Sequence, residues 1–423
     1  MSGNTQSNQA RRTWKVTGTV VKLEAQKVYA LMSMFNLPQA IPLSADSPRW
    51  LNRIGVGFST VVYDEDIRKG SFSGTFAQPL KHEMLLNSTE AACLVSRRFS
   101  GQFDIDFTTG GLEGHEYLHT LLQRITKAIK ADCLLGYQHK ELEKKLKERI
   151  TELWQLPPGE IVLTSSGSEA LFLALSTQSH VAIQNPSFFG AHRTAKFLKP
   201  QTSHWSKIAD IDPSATAAYF CPNSHPATGD TMTGAERTQL AANKQILIED
   251  DPYFPLQFDK PQPHLFSLRN CPEDMYVGSF AKILGTGTRC GFIWTRSAEQ
   301  AKKLRSVKTT VDLGHSALLW KIILLAATKN NLEAIINYNA GRKKLAEFIM
   351  QRPLPMTGGI FMVLPCFEGT QERAKQQGVT LDDLKHYYAN GQAPAKFCRI
   401  NLLKTSPSML REGMQRIKTH LYP

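Results

Sequence analysis

The sequence predicts an α/β protein with a mostly parallel central sheet. Two observations predict it. Beyond Ile161, short apolar runs rich in β-branched and aromatic residues alternate with segments of helical periodicity, the pattern of a sheet covered on both faces. Each run also ends in polar, Ser-, Pro- or Gly-bearing residues, and ligands of such sheets bind beyond the carboxyl ends of the strands.

The elements follow in order. Val20–Met34 has apolar residues at helical intervals and is expected to be a helix. Pro and Ser cluster from Leu37 to Trp50, which suggests a loop. Phe103–Gly114 reads as an extended segment ending in a glycine turn. Glu116–Lys130 and His139–Trp154 are helical in pattern. Strands are expected at Ile161–Ser165, His180–Gln184, Ala217–Cys221, Gln245–Asp250, Met275–Phe280 and Gly291–Thr295. The helices between them are expected at Ser168–Ser176, Phe189–Phe197 and Gly234–Lys244, the last capped by Thr233.

Composition narrows the function classes. The chain has 423 residues, 42% of them apolar and 21% charged, long enough for two lobes around a large core. No run of 18 apolar residues occurs, so no membrane helix is expected. Met1–Ala10 is polar and does not read as a secretory signal. Fifty Lys and Arg against 37 Asp and Glu give a net charge of +13. Such a balance could serve nucleic acid, an anionic membrane or anionic small molecules. The densest run, Lys140–Arg149, alternates signs and reads as the solvated face of an amphipathic helix. Seven cysteines are widely spaced, with no CxxC. That fits neither a disulfide framework nor structural zinc, and suits a reducing cytoplasm.

Four segments carry chemistry. Ser279–Gly291 follows a strand and sets a hydroxyl, an amine (Lys282) and a guanidinium (Arg289) on a glycine-containing loop. A lysine in a loop is usually a solvated cation. Beside Phe280, Ile283 and Leu284, desolvation would lower its pKa and free its lone pair for imine formation. Arg289 offers a planar fork for phosphate oxygens, and Ser279 one more donor. Ile248–Phe258 runs a strand into consecutive carboxylates. Acids there would be costly to bury unless paired, and a protonated pyridine nitrogen would pair one of them. Tyr253 could donate to a phenolate oxygen. A metal site or a surface turn reads equally well. Leu163–Leu175 ends a strand in Ser-Ser-Gly-Ser and opens a helix, which is either an anion site or an ordinary N-cap. Cys221–Thr233 is a Pro- and Gly-bearing loop that supplies Asn223 and His225, or simply a turn.

In this order, the four segments resemble those of fold-type I enzymes dependent on pyridoxal 5'-phosphate (PLP), in the class I/II aminotransferase group. Within it, the aminotransferase-like domain of MocR-type proteins is the nearest likeness. The carriers are S-x-x-K with Arg and Gly after it (Ser279, Lys282, Arg289, Gly291), the run Glu249–Tyr253, and the loop Pro222–Thr233. The resemblance covers Phe103 to the C-terminus. It implies that Lys282 holds the cofactor as a Schiff base and then moves protons at the substrate Cα. Asp250 would keep the pyridine nitrogen protonated, and Tyr253 would bond the ring's O3'. The phosphate would rest on Ser279, Arg289 and the backbone of Gly167, Ser168 and Glu169. Phe188 would stack on the ring. Tyr137 would reach the partner subunit's phosphate. Arg399 would read the substrate α-carboxylate, with Gly110 and Gly111 at the entrance.

The chain also departs from the family. The slot usually filled by Asn holds Pro226, so the contact to O3' would come from Asn223 or His225. Leu142 stands where a Gly is usual, and Phe188 where Tyr or Trp is usual. The DNA-binding domain of MocR-type proteins is not visible upstream. The implied organisation is an atypical segment 1–104, which could join the small domain or cover the active site, a large PLP-binding domain 105–300, and a smaller α+β domain 301–423. The implied reaction is transamination of an amino acid. Elimination, replacement or cyclisation of a side chain is the alternative, and an inactive PLP-binding sensor a second. A homodimer with shared sites is expected, with no nucleic-acid or membrane partner and no metal.

Overall fold

A computed structural model of the chain describes residues 14–24, 27–34, 37–43, 56–64, 69–76, 105–129, 139–312, 314–382, 384–393 and 397–421. The chain divides into two compact units, 1–104 and 105–423.

The first unit holds β1 (Trp14–Glu24), β2 (Lys27–Met34), β3 (Leu37–Leu43), β4 (Val56–Asp64) and β5 (Lys69–Phe76). They form an antiparallel sheet in the order β3-β2-β1-β5-β4. The helix expected at Val20–Met34 is therefore a hairpin, with Glu24 paired to Lys27. The described part of the expected loop, Leu37–Leu43, is a strand. Val16, Thr17, Thr19, Val20 and Val21 are β-branched, and cross-strand pairing outweighs a short helical periodicity.

The second unit opens with β6 (Ile105–Asp106), α1 (Glu116–Ala128) and α2 (Lys140–Leu153). The charged run of α2 closes on itself: Lys145 meets Glu141 at 3.3 Å and Lys147 meets Glu143 at 2.7 Å. Leu146, Ile150 and Leu153 on the opposite face are buried. The alternation then begins: β7 (Glu160–Thr164), α3 (Gly167–Ser176), β8 (His180–Gln184), α4 (Phe189–Leu198), β9 (Gln201–Trp205), β10 (Ala217–Phe220), α5 (Gly234–Ala241), β11 (Ile246–Asp250), β12 (Met275–Ser279) and β13 (Gly291–Thr295). The sheet order is β7-β13-β12-β11-β10-β8-β9. All pairings are parallel except those of β13, which runs against both neighbours. The edge strand β9 was not expected. Its sequence, QTSHW, has no apolar run because an edge strand needs none.

Both sheet faces are buried. Tyr276, Phe292 and Trp294 enter one core, where Trp154 meets Phe280 and Phe292 edge-on at 5.1 and 5.0 Å. Their neighbours Met275, Val277 and Ile293 enter the other core with Leu171, Leu173 and Leu304. This two-residue alternation, apolar on both sides, is what a helix-covered parallel sheet requires. The remainder comprises α6 (Ala298–Val311), α7 (Ala317–Ala326), α8 (Lys329–Met350), β14 (Phe361–Pro365), α9 (Thr370–Gln376), β15 (Val379–Thr380), β16 (Phe397–Asn401) and α10 (Pro407–Leu421). Strand β14 pairs with β16, and β15 pairs with β6.

Candidate active site

One edge of the sheet collects the chemistry. Strands β7, β8, β10, β11 and β12 end there, and β13 begins there, because Ser279 pairs with Gly291 and Gly291 with Thr164. This register brings the Ser165–Ser168 turn, Lys282 and Arg289 to one place. Gly291 is obligatory in it: a Cβ would lie 2.5 Å from the Ser166 carbonyl carbon and 2.6 Å from the Gly167 nitrogen.

A cavity of about 220 Å³ opens at this edge. Lys282, on the short 3-10 turn after β12, is half-buried and donates to the Gly110 carbonyl at 3.2 Å. Burial first, and the Arg399 cation second, push its amine down to about 8. Asp250, at the end of β11, is buried and accepts from the Tyr219 phenol at 2.5 Å. Burial lifts its carboxyl to about 7, with Asp251 adding; Tyr219 and Lys282 pull it back. Its sequence neighbours face the other side of the strand. Asp251 accepts from Asn223 at 2.6 Å, and Glu249 lies 3.9 Å from both Arg237 and His264. Glu249, Asp251 and His264 are close enough together to hold a cation, but the fully buried Arg237 guanidinium already supplies that charge.

A third wall of the cavity is the start of α3. Ser166 caps it, accepting from the Glu169 backbone, while Gly167 and Ser168 line the cavity with Ser279 and Arg289. A helix N-terminus facing a guanidinium makes an anion site. Arg399 on β16 also lines the cavity, buried, donating to Pro226 O at 2.8 Å and Thr108 O at 3.0 Å and paired with Asp382 at 2.5 Å. Its guanidinium lies 3.9 Å over the Phe361 ring and 4.6 Å over that of Tyr387.

The family model for aminotransferase class I and II matches residues 105–351. The chain belongs to this family. It is 25% identical over 327 residues to the 2-aminoadipate transaminase of Thermus thermophilus, covering 68% of this chain and 82% of that one. It is 22% identical to the HTH-type transcriptional regulator TauR of Rhodobacter capsulatus, over 62% of this chain and 60% of that one. Among solved structures, LysN of Thermus thermophilus, an α-aminoadipate aminotransferase complexed with N-(5'-phosphopyridoxyl)-L-leucine, superposes with a TM-score of 0.63. It is 21% identical and covers 79% of this chain and 98% of its own. The cofactor of this aminotransferase is PLP and its reaction is transamination.

The residues of the aminotransferase fit that cofactor. The cavity offers an amine of depressed pKa, a buried acid for a ring nitrogen, and a helix terminus with a guanidinium for a phosphate. Most residues singled out from sequence meet there: Lys282, Asp250, Tyr253, Gly167, Ser168, Phe188, Ser279, Arg289, Arg399 and Gly110. Others lie elsewhere. Asn223 is buried between Asp251 and Arg237, which donates to it at 2.7 Å. His225 braces its own turn, bonding Pro186 O at 3.1 Å and accepting from Ala227 N and Thr228 N. Neither lines the cavity, whereas Pro226 does. Both side chains are engaged outside the cavity, Asn223 by Asp251 and Arg237 and His225 by its own turn. Glu169 turns its carboxylate back onto Ser165, at 2.5 Å from the hydroxyl, and its backbone N–H is taken by the cap. Gly111 accepts from Asn401 at 2.7 Å and does not line the cavity. Tyr137 lies outside the described residues. Sequence reasoning missed Ser166, Tyr219, Cys221, Phe361 and Tyr387. Tyr219 sits in the apolar strand AAYF, and only its phenol oxygen distinguishes it from core.

Proposed function

We propose that Lys282 carries the cofactor and moves the proton at the substrate Cα, with Asp250 on the ring nitrogen and Arg399 on the substrate α-carboxylate. The supporting observation is that an amine of pKa about 8, an acid of pKa about 7 and a buried guanidinium share one cavity. When bound, the cofactor supplies an electron-poor ring that takes up the charge left at Cα. Lys282 reaches this point half-neutral near pH 8, so it can both accept and return a proton. Asp250 stays anionic toward a bound cation because the Tyr219 hydrogen bond opposes its desolvation. Gly167, Ser168, Ser279 and Arg289, which line the cavity, would hold the phosphate. Phe188 would pack on the ring and Tyr253 would donate to its phenolate oxygen. The Arg399 Nε–H, buried with no partner among the described residues, is left to read a carboxylate.

Within the second unit, residues 105–300 hold the cofactor and 301–423 form the smaller, substrate-facing part. The working form is a homodimer. Helix α7, ALLWKIILLA, supports this. It is apolar apart from Lys321, yet Leu318, Leu319 and Ile322 are only partly covered and Leu325 is 52% exposed. Light scattering should give twice the mass of the chain.

The test of function is product identification. Protein and PLP are mixed with a panel of amino acids, with and without a keto-acid acceptor. Keto acid together with pyridoxamine phosphate is expected. Ammonia or a cyclised product without keto acid would instead support elimination or cyclisation. Absence of any visible absorbance with added PLP would sink the reading of the site.

A further inference from the structure

We propose that Tyr219 is a positioning residue for Asp250: its phenol holds one carboxylate oxygen and keeps the acid anionic toward the ring nitrogen of the cofactor. The inference rests on the reading above, that Asp250 meets that nitrogen.

Tyr219 is fully buried on β10, opposite Ile248 of β11. Ile248 and Asp250 point to the same sheet face, two residues or roughly 6.6 Å apart along the strand. A tyrosine side chain spans that step, and its oxygen meets Asp250 Oδ2 at 2.5 Å. The direction of the bond is fixed. A carboxylate only accepts, and burial pushes the phenol well above its ordinary pKa, so it remains a donor. The Cys221 thiol, 3.6 Å from the same oxygen, is likewise pushed up and neutral.

The titratable groups that act on Asp250 are Tyr219, Cys221, Tyr253 and Lys282, with Asp251 and Tyr276 acting from the opposite face of the strand. Asp251 raises its proton affinity, and Lys282 lowers it from a distance. Among the described residues, Tyr219 alone hydrogen-bonds to the carboxylate. A carboxyl lifted to about 7 by burial competes with a pyridine for the proton between them. Losing the phenol would draw that proton onto Asp250. The ring would then be neutral and a poorer electron sink.

The test uses the holoenzyme reconstituted with PLP labelled with 15N at the ring nitrogen. Tyr219→Phe should move the 15N shift toward the neutral-pyridine position and lower kcat by about 10- to 100-fold, with KM changed less than kcat. Combined with Asp250→Asn, it should add little to the loss caused by Asp250→Asn alone. Should Tyr219→Phe not hold cofactor, 3-fluorotyrosine placed at position 219 donates more strongly and should move the shift the opposite way. A ring nitrogen that responds to Asp250→Asn but to neither change at 219 overturns the inference alone. One that does not respond to Asp250→Asn overturns the reading of the site as well.

Discussion

The Lys282 amine donates to the carbonyl of Gly110, 172 positions earlier in the chain, at 3.2 Å. The contact ties the loop after β12 to the segment after β6, and so joins two walls of the cavity. It also explains the glycine: a Cβ at position 110 would lie 2.2 Å from that nitrogen. Lys282→Ala should abolish transamination with little change in far-ultraviolet circular dichroism. Gly110→Ala should fold but displace the amine, slowing cofactor capture by about tenfold or more, since ångström-scale misplacement has such costs. Visible absorbance after adding PLP measures both; turnover in Lys282→Ala would refute its role.

Cofactor capture should depend on pH through the same amine. Only the neutral form attacks an aldehyde, and burial with the Arg399 charge sets its pKa to about 8. Capture should rise about tenfold per pH unit below that value and level off above it. Arg399→Ala removes a cation that depresses the pKa, so its midpoint should move upward. A profile still rising at pH 10 in the parent protein would show an unperturbed lysine.

Arg399→Ala should also raise KM for amino acids, because truncating one partner of a buried charged pair costs about 2–5 kcal/mol. Amines lacking the carboxylate should be affected far less. Initial-rate kinetics on an amino acid and its decarboxylated analogue separate the two. Equal losses would mean that Arg399 acts on the fold, through Asp382, rather than on substrate.

Arg237 is a stability prediction. It is fully buried and donates to Met232, Pro222 and Pro263 carbonyls and to Asn223, beside Glu249. Arg237→Met leaves a buried carboxylate without its cation and should cost about 3–5 kcal/mol. Adding Glu249→Gln should recover part of this. Urea unfolding of the three proteins measures it, and no recovery would mean that the cost lies in the loop carbonyls.

The cap of α3 gives a smaller effect. Ser166→Ala removes the acceptor for the Glu169 N–H and should cost about 1 kcal/mol. PLP affinity should fall with it, because the helix start lines the phosphate end of the cavity. Equilibrium dialysis at fixed pH would show this, and an unchanged affinity would place the phosphate elsewhere.

The sequence by itself determined the alternation of strands and helices from Ile161 to Thr295, the edge strand β9 excepted, and the polar residues that follow the strands it found. Both are local: apolar runs bounded by turn residues, and side chains within a few positions of a strand end. Lys282, Asp250, Ser279 and Arg289 were legible for that reason. Only the tertiary structure decided which face each residue of a strand presents, so that Asp250 enters the cavity while Glu249 and Asp251 turn to Arg237 and His264. It also spent Asn223 on Asp251 and Arg237 and His225 on its own turn, brought Tyr219 onto Asp250, and turned Val20–Met34 into a hairpin. These outcomes depend on pairing partners far away in the chain, and periodicity within one segment carries no information about a partner strand's register.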